Sequence, residues 1–332
     1  MQEKPRIPVT VLTGFLGAGK TTLLNSILSQ DHGHKCAIVI NEFGAISIDN
    51  QLVIGVDEEI LELNNGCICC RVRGDLVKSL GDLLRRQKRF DYVLIETTGL
   101  ADPGPIAGTF RSTELAERLR LDGIVTVADA KHLEKELGDA PEASAQVAFA
   151  DIILLNKTDL VSGADLERLE KRIRKINPVA KIHRTGHSKI AFGELLNIKA
   201  HELKTPLVLT EHEHHAGDDD QEKNHHHHEH HHDEDVRSFF IVDERALDLK
   251  KLETWLTEVI RTMGPKIYRG KGILHIAGQP KRVVFQGVQM LFDAAPDRFW
   301  NPGEKKMNQM VFIGKNLDEA AIRAGFESCV AE

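Results

Sequence analysis

The chain has 332 residues, 41% of them hydrophobic, and a formal net charge of −7. That is enough apolar material for one large or two medium cores, and the acidic balance excludes a nucleic-acid binder relying on a global positive field. Five cysteines (Cys36, Cys67, Cys69, Cys70 and Cys329) are too few and too clustered for a disulfide framework. No stretch reaches the ~18 apolar residues of a membrane span, so a soluble cytoplasmic protein is expected.

Residues 1–8 read as a tail. From 9 to 205, short apolar runs alternate with helical patterns. Runs at 9–13, 36–40, 59–63, 92–96, 123–129 and 151–156 are rich in Val, Ile and Leu with little alternation. Strands covered on both faces have this character. Helices are predicted over 20–30, 74–87, 103–118, 142–150 and 163–176. Such alternation implies an α/β domain with a mainly parallel sheet and right-handed crossovers, and ligands bind such sheets at the carboxyl ends of the strands.

Residues 206–236 break the pattern. The stretch 211–235 holds ten histidines and ten acidic residues, with no aliphatic residue beyond Ala216. It cannot bury a core and is expected to be a disordered linker. Globular composition returns over 237–330. Strands are predicted at 237–244, 266–278, 281–294 and 308–315, an amphipathic helix at 249–260 and a last helix at 318–328. This is a smaller α+β domain with an antiparallel sheet.

The first strand leads into Gly14-Phe15-Leu16-Gly17-Ala18-Gly19-Lys20-Thr21, a full match to the phosphate-binding loop G-x-x-x-x-G-K-[ST] in its strand-to-helix context. Glycines let backbone N–H groups turn inward around phosphates, and the following helix adds its dipole. Lys20 is expected to reach the β- and γ-phosphates and Thr21 to ligate Mg²⁺. The strand 92–96 ends in Glu96, placed to act through Mg²⁺ or its water, and Gly99 follows to sense a γ-phosphate. After the strand 151–156 comes Asn156-Lys157-Thr158-Asp159. The Asp159 carboxylate can accept from guanine N1–H and the exocyclic amine, a pair of donors that adenine lacks. The three motifs together read as a P-loop GTPase. Glu42 and Asp49, in the loop after the second strand, are candidates for Mg²⁺ or water positioning; a solvated loop acid is the alternative for each.

Gly66-Cys67-Ile68-Cys69-Cys70 places three thiols within four residues after a strand. Thiolates suit Zn²⁺ or another soft ion, and three protein ligands leave one tetrahedral position open, as suits a metal that must be handed on. Packing or a redox pair remains the alternative. His132, His183, His187, His201 and His275 are isolated and read as surface or satisfied core residues. Cys36 and Cys329 read as ordinary thiols.

GFLGAGKTT, NEFG, GCICC, ETTG followed by ADPGP, and NKTD occur together and in this order. With YRGKGIL, FQGVQ and MVFIG near the end, the chain resembles the CobW family of metal-related GTPases, including the zinc-regulated metalloprotein activators. The resemblance implies GTP-driven delivery of a metal to a client apo-metalloprotein. It makes Cys67, Cys69 and Cys70 the metal ligands and residues 14–21 and 156–159 the GTP site, with Asn156, Lys157 and Asp159 on the nucleotide and Thr22 adjoining the phosphate loop. It also brings Arg73 and Gly74, after the cysteines, toward the nucleotide. Zinc is the expected metal, with Co²⁺ for cobalamin synthesis or a cobalt enzyme as the near alternative. Metal storage or sensing with GTP as effector, and a regulatory GTPase with structural cysteines, are alternatives of other classes. The histidine run reads either as a metal reservoir or as a solvated linker. GTP and the client are the expected partners, with no nucleic acid and no membrane, and a homodimer is allowed for.

Overall fold

A computed structural model describes residues 6–31, 33–41, 59–63, 69–85, 90–110, 113–195, 198 and 236–332. Glu42, Asp49, Cys67 and the linker 206–235 lie outside the described residues.

The first unit runs β1 (Ile7–Thr13), α1 (Lys20–Leu28), β2 (Cys36–Asn41), β3 (Glu59–Leu63), α2 (Cys69–Arg85), β4 (Tyr92–Glu96), α3 (Gly104–Thr109), α4 (Thr113–Ala116), β5 (Leu119–Asp129), α5 (Leu133–Asp139), α6 (Pro141–Phe149), β6 (Ile152–Asn156), α7 (Gly163–Ile176), β7 (Lys181–Arg184) and α8 (Phe192–Leu195). Its strands form one seven-stranded sheet in the order β3-β2-β4-β1-β5-β6-β7. Every adjacent pair is parallel.

Period-two alternation explains why these strands are apolar throughout. Val9, Val11, Val93 and Ile95 face α2 and α3, where Leu76, Leu80, Leu83 and Ile106 meet them. Leu12, Leu94, Val125 and Leu154 face the other way, onto Leu23, Leu24 and Ile27 of α1. The helix α7 is amphipathic, burying Leu166, Leu169, Ile173 and Ile176, and Ser162 caps it by accepting from the Asp165 N–H at 3.2 Å.

The second unit runs β8 (Val236–Asp243), α9 (Leu249–Met263), β9 (Ile267–Leu274), β10 (Lys281–Val288), β11 (Leu291–Phe299), β12 (Asn308–Lys315) and α10 (Glu319–Ser328). Its antiparallel five-stranded sheet has the order β11-β10-β9-β12-β8. Leu252, Trp255, Leu256 and Val259 of α9, with Ile322 and Phe326 of α10, cover one face. The other face lies on the first unit. Val288 packs with Ile106, Phe110 and Phe149, and Val311 and Ile313 pack with Val147, Leu169 and Ile173. Tyr268 stacks on Phe149 with ring centroids 4.8 Å apart. Between the layers, Asp151 accepts from Arg269 and from Lys271 Nζ at 2.8 Å. The helix α6 therefore has cover on both sides, which is why its residues from Ala143 to Phe149 are all buried.

Two expectations need correction. The span 103–118 is two short helices, α3 and α4, rather than one. The span 281–294 is a hairpin: the chain reverses at Gln289, which adopts φ 55°, and Met290. The short strand β7 and the helix α5 were not anticipated. Among the described residues no helix is long and apolar enough to cross a membrane.

Candidate functional site

The strand β1 delivers residues 14–19 to the carboxyl edge of the sheet. Gly14 adopts φ 140°, and a Cβ there would lie 2.1 Å from the Val127 carbonyl oxygen. Gly19 adopts φ 109°, and its Cβ would lie 2.6 Å from Asn156 Nδ2. No L-residue with a side chain fits either position. Gly19 is also the N-cap of α1 and offers no side-chain cap, so the first N–H groups of that helix are left for a ligand.

Lys20 is buried and its Nζ donates to the Phe15 carbonyl at 3.2 Å, reaching back across the loop. Thr21 Oγ1 donates to Glu96 Oε1 at 3.1 Å. Glu96 ends β4 and is buried. A hydroxyl and a carboxylate converging beside a phosphate loop are hard oxygen donors, and the set fits Mg²⁺. Beyond Glu96, Gln146 Nε2 donates to the carbonyls of Gly99 at 3.0 Å and Ala101 at 3.2 Å. Gly99 lies against the loop itself: a Cβ there would be 2.8 Å from the Leu16 backbone nitrogen.

Asn156 works from behind the site. Its Nδ2 donates to the Ala18 carbonyl and to Ser188 Oγ, both at 2.9 Å. Its Oδ1 accepts from the Ser188 N–H at 2.8 Å and from Thr185 Oγ1 at 3.2 Å. With both donors and both acceptor sites in use, the Asn156 side chain clasps the phosphate loop to residues 185–188. Lys157 is left-handed, with φ 59° and ψ 34°, and its Nζ lies 2.7 Å from Asp129 Oδ2. Asp159 is exposed, with Oδ1 beside Gly186.

On the opposite side of β1, β3 ends at Leu63 at the sheet's edge. Cys69 and Cys70 occupy the first turn of α2, with Arg73 and Gly74 one turn further on. Their side chains are outside the described set, as is Cys67.

Residues 8–184 match the family model described as the CobW/HypB/UreG nucleotide-binding domain, and residues 236–330 match the cobalamin synthesis protein CobW C-terminal domain. The chain belongs to the CobW family of P-loop GTPases. It is 40% identical over 325 residues to the zinc chaperone YjiA of Escherichia coli, covering 96% of this chain and 98% of that one. It is 34% identical over 364 residues to the zinc chaperone CobW of Pseudomonas aeruginosa, covering 100% and 93%. The crystal structure of Zn(II)-bound YjiA GTPase from E. coli superposes with a TM-score of 0.75 at 34% identity, covering 99% of this chain and 100% of that chain.

Two features of this CobW-family site escape the sequence reading. One is the turn after β7, where His187 and Ser188 adopt φ 52° and 53° and Ser188 Oγ donates to the Gly19 carbonyl at 3.1 Å. Only the distance from the Asn156 motif could have marked it. The other is an acidic group at the head of α5. Asp129 Oδ2 pairs with His132 Nδ1 at 2.9 Å as well as with Lys157, and Oδ1 accepts from the Lys131 N–H at 2.9 Å. His132 is thus no isolated residue. Burial would raise the Asp129 carboxyl, but the bonds from Lys157, His132 and Lys131 outweigh it and hold it below the usual carboxylate range. Glu136, one turn along α5, is pushed up to about 7 by burial and then by the charge of Asp129.

Proposed function

We propose that this chain is a GTP-hydrolysing metallochaperone that carries zinc on Cys67, Cys69 and Cys70 and transfers it to a client apo-metalloprotein. One observation supports the reading: the chain matches both CobW-family domains and zinc chaperones over nearly their full length, and Cys69 and Cys70 open α2, after a strand of the same parallel sheet that leads into the phosphate loop. Residues 14–22 and Gly99 would hold the phosphates, and Asp159 would select guanine. Thr21 and Glu96 would hold Mg²⁺, which when bound neutralises charge on the β- and γ-phosphates.

Three thiolates would hold zinc with one position open, and Arg71 and Arg73 favour the thiolate form. GTP would order the cysteine loop into its metal-binding form, and hydrolysis would release it, lowering zinc affinity so that a client's ligands capture the ion. Linkage requires zinc affinity and nucleotide preference to be coupled equally in both directions. The test is zinc affinity, by chelator competition, with a non-hydrolysable GTP analogue and with GDP, followed by transfer to an apo-client. Equal affinities would rule out the switch. Unfolding of a variant with all three cysteines changed to Ser would point to a structural role instead.

A further inference from the structure

The acidic group at the head of α5 lies outside every motif considered above, yet it touches the guanine-side loop. Asp129 ends β5 directly opposite Asn156 in the β5–β6 register, and the Ala130 N–H donates to the Asn156 carbonyl at 2.9 Å. The Asp129 side chain is only 4% exposed, and its bond to Lys157 Nζ is the shortest of its three. Lys157 needs such a partner. A lysine in the left-handed region is strained and persists only where its surroundings over-determine it. Lys157 is followed at once by the short 3₁₀ turn Thr158–Leu160 that carries Asp159, so its backbone sets where that carboxylate points. Three further bonds brace the turn: the Thr158 N–H and Oγ1 donate to the Thr185 carbonyl at 3.2 and 3.1 Å, and the Leu160 N–H donates to the Lys157 carbonyl at 3.0 Å. None of them acts on the Lys157 side chain. That falls to Asp129, which His132 and the Lys131 N–H hold in place.

We propose that Asp129 is a positioning residue for guanine recognition. Its carboxylate anchors the Lys157 ammonium, holds the left-handed bend at Lys157 and so aims Asp159 at the base. The inference rests on the reading of residues 156–159 as a guanine site. It predicts an effect on nucleotide binding and base choice more than on phosphate cleavage, because Asp129 bonds Lys157, His132 and the Lys131 N–H, which lie beside the loop that carries Asp159.

The experiment is a double-mutant cycle in the full-length chain, D129N against K157A, read as Kd for fluorescent GDP and ADP analogues and as KM and kcat for GTP. Asn at 129 keeps the shape and the acceptor for the Lys131 N–H but removes the charge. D129N should raise Kd for GDP and KM for GTP about tenfold, the scale of coupling within one ion-pair network. It should lower the preference for GDP over ADP and leave kcat within about twofold. The double variant should bind GDP no more weakly than K157A alone. Wild-type GDP affinity in D129N would overturn the proposal. So would losses that simply multiply in the double variant, or a lower melting temperature with the GDP-to-ADP preference intact. Failure of the wild-type chain to bind GDP is a different result, and it would remove the guanine-site reading itself.

Discussion

The buried junction of Asp151 with Arg269 and Lys271 invites a direct perturbation, D151N. Asp151 precedes β6, and its side chain is 3% exposed; those of Arg269 and Lys271 are 1% and 9% exposed. Oδ2 accepts from the Ile124 N–H at 3.0 Å, and Oδ1 faces both cations. Burial would raise this carboxyl, yet the charges of Arg269 and Lys271 hold it down at about 2. Asn at this position would leave two buried cations side by side without an anion. Removing one partner of a buried charge pair costs about 3–5 kcal/mol. Lys271, whose ammonium burial already lowers, limits the loss by shedding its proton more readily. At about 2–4 °C per kcal/mol for large domains, the melting temperature should fall by on the order of 10 °C.

Thermal unfolding by circular dichroism at neutral pH reads the effect, and K271M added to D151N should recover part of it. The sign with pH follows from the shift. A carboxyl held below its ordinary value of 3.8 contributes stability that is present above that value and lost as pH falls toward 2. The gap between wild type and D151N should therefore shrink as pH falls from 4 to 2, and narrow again at alkaline pH where Lys271 of the variant sheds its proton. A D151N protein that melts within about 2 °C of wild type at pH 7 would refute the reasoning, because two unpaired buried cations cannot be that cheap.

Three further outcomes are expected. Glu136 is raised to about 7 from an ordinary value of 4.5, so the nucleotide-free wild type should lose stability as pH rises from about 4.5 to 7. E136Q should lack that loss, and its melting-temperature advantage should grow from pH 5 to pH 8; parallel curves would contradict this. N156A removes the clasp between the Ala18 carbonyl and Ser188. It should cost on the order of 3 kcal/mol in denaturant and at least about tenfold in GDP affinity, since it orphans several buried polar groups. G99A would push a Cβ to within 2.8 Å of the Leu16 nitrogen. It should lower kcat/KM for GTP at least about tenfold with little change in melting temperature, because the phosphate loop is displaced while the core is untouched.

The placement of residues 14–21, Glu96 and the Asn156 motif was legible because each is local: a few residues at the end of an apolar strand. What Asn156 does was not legible. Its partners Thr185 and Ser188 follow a four-residue strand that is half exposed, with no alternation to mark it. The reversal at Gln289 was hidden because neither Gln289 nor Met290 is a turn residue, so two strands read as one. The Pro-Gly-Pro of 103–105 marks the start of α3 well, but nothing in the composition signals its end at Thr109. The junction of Asp151 with Arg269 joins residues 118 apart. Sequence separation of that kind leaves no pattern, so the C-terminal sheet was legible as a fold but not as a cover.

That cover bears on how a nucleotide signal could spread. Gln146 pins the carbonyls of Gly99 and Ala101, and Asp102 accepts from the Gly104 N–H at 2.8 Å where α3 begins. Gly104 presents its bare Cα to Gln289: a Cβ would sit 2.7 Å from Nε2 of that side chain and 3.0 Å from Phe149. Ile106, Ala107 and Phe110 share their core with Val288, the last residue of β10. A shift in residues 96–102 thus cannot be absorbed within α3 alone, since close-packed interfaces slide or hold but do not stretch. Either the β10–β11 hairpin moves with α3 or the second sheet resists the motion; in both cases the C-terminal unit bears on a shift of residues 96–102. Contiguity is not yet coupling, and hydrogen exchange can separate the two. Amides along β10 and β11 should change protection between GTP-analogue and GDP states together with those of α3. Unchanged exchange in the hairpin while α3 responds would make the second sheet a passive cover, and client docking would then have to act on the first unit alone.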